Sequence, residues 1–183
     1  MTVLASCESG SLPTAITRAD FYTDQYRISA DVNSGHGRLL EALRDPTRQY
    51  LDLRRVRVTP CDGSHAAAEY GDAVLNKAAV EWVAVRSEPP RGAGRLYGYV
   101  RKTPVRAALV LRTCRIEGTI HVQSGTTDPV AFFLRGSGGL EKVTDRFLAV
   151  TDATITPTPE DTSGALNLVI VNRASVLLYT ALR

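Results

Sequence analysis

Hydrophobic and polar positions along this chain fall into short alternating runs broken by turn residues, which is the pattern of β-strands half buried on one face. Tyr26-Arg27-Ile28-Ser29-Ala30-Asp31-Val32 puts Tyr26, Ile28, Ala30 and Val32 on one side and predicts a strand. Asn33-Ser34-Gly35-His36-Gly37 ends it with turn chemistry. Leu39, Leu40 and Leu43 then lie at helical spacing, and Asp45-Pro46 stops that helix after about two turns. Alternation resumes over Tyr50 to Val58. Leu51 and Leu53 share one parity and Val56 and Val58 the other, so a bulge or bend is expected near Arg54. The run Ala73 to Val83 reads as an apolar strand, an Asn-basic-Ala corner at Asn76-Lys77-Ala78, and a second apolar strand.

The same order returns further along. Arg115-Ile116-Glu117-Gly118-Thr119-Ile120-His121-Val122 matches Arg27 to Val32. Val130 to Arg135 matches the short helix, and Phe147 to Pro157 matches Tyr50 to Pro60. Val169-Ile170-Val171-Asn172-Arg173-Ala174 matches Ala73 to Ala78. The offset between the two series starts at 88, reaches 97 and ends at 96, which places an insertion around Gly136 to Gly139. The expectation is a mainly β protein with short helices (β or α+β), made of two diverged copies of one small barrel unit. Each unit is a strand, a short helix, two strands and a strand pair. The divisions expected are a polar tail over 1–20, a first copy over 21–86, a linker over 87–104 and a second copy over 105–183. A unit of about 65 residues is marginal alone, so the copies should pack as one pseudo-symmetric body.

Composition narrows function by exclusion. The 44% hydrophobic and 22% charged content is that of a globular chain. No apolar run reaches the roughly 18 residues of a membrane span, and residues 1–14 lack the layout of a signal peptide. Three cysteines, Cys7, Cys61 and Cys114, without CxxC spacing, argue against a disulfide framework or a zinc site and favour a reducing, cytoplasmic setting. His36, His65 and His121 have no metal-ligand spacing, and the phosphate-binding, nucleophile-elbow and zincin motifs are missing. A non-enzyme without cofactor or metal is expected.

Charge is uneven. Residues 1–90 hold 10 Lys and Arg against 12 Asp and Glu, whereas residues 91–183 hold 12 against 7. The excess is concentrated between Arg91 and Arg115. There Tyr97 and Tyr99 interleave with Arg95, Arg101 and Lys102, flanked by Arg91 and Arg106, a set that could stack and neutralise a single strand of nucleic acid. The other candidate positions are the repeated polar corners, Asn76-Lys77 and Asn172-Arg173. Corner residues of this kind serve first to bond their own backbone.

The segment Arg115-Ile116-Glu117-Gly118-Thr119-Ile120, together with the closing strand pairs Leu75 to Val80 and Val171 to Val176, resembles the two motifs of the Sm-like small barrel. The resemblance implies a small, strongly bent β-barrel. The chain departs from that family in placing a helix between the second and third strands and in lacking the glycine of the family's nucleotide-contacting loop. The wider pattern also looks like an uncharacterised bacterial domain family, usually seen as a single copy. The expectation is therefore a binding or scaffold module for protein–protein assembly or self-association, with nucleic-acid binding through Arg91–Arg115 as the alternative.

Overall fold

The computed structural model describes residues 16–34, 37–89, 102–123, 146–157 and 165–182. Ten strands form one antiparallel sheet: β1 (Ile16–Tyr22), β2 (Tyr26–Asn33), β3 (Tyr50–Pro60), β4 (Ala68–Asn76), β5 (Trp82–Ser87), β6 (Lys102–Val110), β7 (Arg115–Gln123), β8 (Phe147–Thr156), β9 (Leu166–Asn172) and β10 (Leu178–Ala181). A six-residue helix, α1 (Leu39–Arg44), joins β2 to β3. The spatial order is β10-β6-β7-β8-β9-β5-β1-β2-β3-β4. Within it the first five strands of the chain lie as β5-β1-β2-β3-β4 and the last five as β10-β6-β7-β8-β9, the same order twice. No pairing among the described residues joins β10 to β4, so the ten-stranded sheet is open rather than closed.

Burial follows the alternation, with instructive exceptions. In β3, Leu51, Leu53 and Val56 are all buried although their parity changes. The change is made by a bulge: the β2–β3 register shifts between Ser29 and Asp31, and Arg55 takes φ 50°. The second half repeats the device, with a shift between Glu117 and Thr119 and φ 50° at Asp152. Gly118 faces this second bulge. A Cβ there would lie 2.5 Å from Val150 Cγ1 and 2.8 Å from the Thr151 carbonyl, so only glycine lets β7 and β8 approach this closely.

Three sequence expectations change. The stretch read as tail, 1–20, contributes most of β1, which starts at Ile16 and pairs with both β2 and β5. The linker read over 87–104 is shorter among the described residues, because Lys102, Thr103 and Pro104 begin β6. The strands flanking each Asn-basic-Ala corner are consecutive in the chain but do not pair with each other. β4 pairs with β3, and β5 pairs with β1 and β9. The helix expected over Val130 to Arg135 lies outside the described residues.

The two halves meet where β5 runs antiparallel to β9, with Trp82 opposite Val171, Val83 opposite Ile170 and Ala84 opposite Val169. Alternation along these strands sends neighbouring side chains into two different cores. Trp82 and Ala84, with Tyr22, enter the core built mainly by the second half. Phe147 and Ile170 enter the core built mainly by the first. Tyr22 and Trp82 stack face to face with centroids 3.7 Å apart.

Candidate functional site

Each Asn-basic-Ala corner is a strand end that turns through one 3-10 turn into the next strand. Asn76 caps Lys77–Ala79 by accepting a hydrogen bond from the Ala78 amide at 2.9 Å. Asn172 caps Arg173–Ser175 by accepting from the Ala174 amide at 3.1 Å. A short side-chain oxygen one residue before the turn is what this geometry needs, which explains the asparagine at both positions.

The two asparagines then diverge. Asn172 is buried at the junction. Its Nδ2 donates to the Val80 carbonyl at 2.7 Å and its backbone amide to the Glu81 carbonyl at 2.9 Å, both across to the first half. Arg146 Nε donates to its Oδ1 at 3.3 Å. Asn76 is exposed at the outer end of β4.

The basic partners diverge as well. Lys77 is buried and donates to the Ala42 carbonyl at 2.6 Å and the Asp45 carbonyl at 3.0 Å, closing the C-terminal end of α1. Burial holds its ammonium below the ordinary lysine range, against the opposing pull of Asp45. Arg173 is half-buried, and its backbone amide bonds the Arg146 carbonyl at 2.8 Å.

Further groups that the sequence did not single out complete the junction. Glu81, one residue ahead of Trp82, is buried, and burial pushes its carboxyl above the usual range. The Thr113 hydroxyl, donating at 3.3 Å, pulls the other way. Arg44 Nε of α1 donates to the Phe147 carbonyl at 2.8 Å, tying the first half's helix to β8. Glu88, just beyond β5, accepts from the Leu39 amide at 2.9 Å at the other end of that helix.

The outer edges of the sheet are β4 and β10. Among the described residues nothing pairs with their free sides. Both edges carry apolar groups in water: Tyr50, Tyr70 and Val74 at the β4 end, Leu177 and Leu178 at the β10 end. A concave surface beside β4, between α1 and the strands, is lined by Glu41, Ala42, Tyr50, Leu53, Ala73 and Val74.

Of the basic stretch, Lys102 and Arg106 are exposed on β6. Arg91, Arg95, Tyr97, Tyr99 and Arg101 lie outside the described residues. A separate polar face on the first half is internally compensated. Arg86 pairs with Asp20 at 2.6 Å, while Arg18, at 3.3 Å, and Arg55 both pair with Asp31. The cysteines within reach of description are free: Cys61 is exposed, and Cys114 is buried with its thiol pushed up to about 11 by desolvation. His121 Nε2 lies 3.3 Å from the Thr151 hydroxyl, and His65 is exposed. Among the described residues no group of three or more His, Cys, Asp or Glu is arranged to hold a metal ion, and no helix is long and apolar enough to cross a membrane. Comparison with protein-family models, with curated proteins and with solved structures finds no match.

Proposed function

We propose that the protein is a non-enzymatic binding and scaffold module, built from two diverged copies of a small β unit resembling the Sm-like barrel, and that it docks protein partners on its strand edges. The observation that carries this reading is the apolar dressing of the two outer edges. An uncovered strand offers a row of backbone donors and acceptors, which proteins ordinarily protect with charge, proline or a covering segment. Here Val74, Leu177 and Leu178 are each more than half exposed, at the two ends of one sheet. Extended segments add to such edges by main-chain hydrogen bonding, with side-chain pockets selecting the partner. The three cysteines without a pairing pattern support a reducing, cytoplasmic setting.

The test is affinity capture from a lysate of the source cells with the full chain and with a Val74→Lys, Leu178→Lys variant. Proteins retained by the first and lost by the second are the expected result. Binding of fluorescent single-stranded RNA and DNA is measured alongside at two salt concentrations. Steeply salt-sensitive binding, abolished by neutralising Arg95, Arg101 and Lys102 and indifferent to the edge variant, would replace this reading with nucleic-acid recognition.

A further inference from the structure

Both faces of the internal junction occur a second time in the same molecule, at its two ends. The face supplied by the first half is Val80, Glu81 and β5. Its counterpart 96 residues on is Val176, Leu177 and β10. The face supplied by the second half is Phe147 with β9 and Asn172, and its counterpart is Tyr50 with β4 and Asn76. Burial separates used faces from unused ones. Ile170 is 0% exposed and Val74 is 64%; Phe147 is 0% and Tyr50 is 52%; Trp82 is 2% and Leu178 is 54%. Asn172 is buried, with its amide nitrogen bonded across the junction, whereas Asn76 makes the same cap in an exposed position.

Resting on the scaffold reading above, we infer that the occupant of these edges is a second copy of this chain. The β10 edge of one molecule joins the β4 edge of the next in the register that β5 and β9 use internally. Leu178 then lies opposite Leu75, Tyr179 opposite Val74 and Thr180 opposite Ala73, each transposed from an observed pair. The amide of Asn76 donates to the Val176 carbonyl of the next copy, as that of Asn172 does to Val80. Continuity with an existing interface is the support, because the same two faces already pair once inside the chain. Glu69 and Asp72, exposed further along β4, discourage pairing beyond this short joint. Such a joint is head-to-tail, so it repeats: the chains close into a ring if the rotation per step allows and otherwise extend as a filament.

The test begins with the mass of the purified full chain by light scattering over rising concentration. A mass above one chain is expected, returning to one chain in either Val74→Lys or Leu178→Lys alone. Register is read by cross-linking in a Cys7→Ser, Cys61→Ser background. The backbone bond from Asn172 to Glu81 makes the 171/82 and 169/84 positions non-hydrogen-bonded pairs, whose close Cα atoms suit a disulfide. Ala73→Cys mixed with Thr180→Cys therefore cross-links under mild oxidation. Val74→Cys mixed with Thr180→Cys, one residue out of register, gives about a tenth of that yield or less. A single-chain mass at every concentration, an assembly indifferent to both edge variants, or equal yields from the two cysteine pairs would each overturn the inference. Single-chain mass together with edge-dependent capture of other proteins would leave the scaffold reading standing without self-assembly. Loss of both would remove the two together.

Discussion

Asn172 and Asn76 form the same cap on the same 3-10 turn, yet Asn172 alone has an opposing strand to bond. The pair separates the local role of the residue from its role in joining the halves. Asn172→Ala removes a cap and leaves the Val80 carbonyl buried without its donor, a loss of about 2–3 kcal/mol. Asn76→Ala removes a cap alone, a loss of about 1 kcal/mol. Denaturant unfolding followed by the fluorescence of Trp82, the single tryptophan, measures both from within the junction. Equal losses would show that the Asn172–Val80 bond adds nothing.

Gly118→Ala forces a methyl group against Val150, the Thr151 carbonyl and the Ala153 Cα, two of them backbone contacts with little room to yield. Overpacking of this kind costs about 1–3 kcal/mol. Position 30, its counterpart in the first half, already carries alanine and is buried, so Ala30→Gly should cost less. Chemical denaturation of the two variants checks the asymmetry between the bulges.

Glu81 has a pH signature. Burial holds its carboxyl above the ordinary glutamate value of 4.5 in the fold, so between 4.5 and its folded value the native state holds more protons than the unfolded one. Its contribution to stability is fully present below 4.5 and is lost as pH rises through that window. The unfolding free energy of the wild type, relative to Glu81→Gln, should therefore fall as pH rises through the acid range. A difference that stays flat with pH would refute the assignment.

Lys77 gives the opposite slope at the alkaline end. With its folded value below 10.5, the unfolded chain holds more protons over the interval between the two, and stability rises with pH there. Lys77→Met keeps the apolar stem but strips the Ala42 and Asp45 carbonyls of their donor, at a cost of about 1–3 kcal/mol at neutral pH. Its unfolding free energy should lack the alkaline rise, which a wild-type-minus-variant comparison isolates from other titrations.

Sequence and structure agree where the information is local. The parity change between Leu53 and Val56 announced the bulge at Arg55, and the Asn-basic-Ala steps marked two corners of equal geometry. The first strand was hidden because its inward face is Thr17, Ala19 and Phe21, too small and polar over two of three positions to show an apolar alternation. Which strands pair across a corner was also illegible. Consecutive apolar runs around a tight turn look like a hairpin, and only the three-dimensional path sends β5 to β1 and β9. The junction itself rests on residues 80–84 meeting 169–172, a separation no periodicity encodes. Glu81 gave a faint signal, as one acid between Val80 and Trp82 in an otherwise apolar run.

The sharing of cores across β5 and β9 also sets a timetable for synthesis. When Trp82, Val83 and Ala84 leave the ribosome, the strand that covers them follows some 85 residues behind. At ordinary elongation rates that interval is on the order of 5–20 seconds. Throughout it the newborn first half carries an open edge and its only tryptophan in water, which makes this the period in which chaperone protection matters most for the chain.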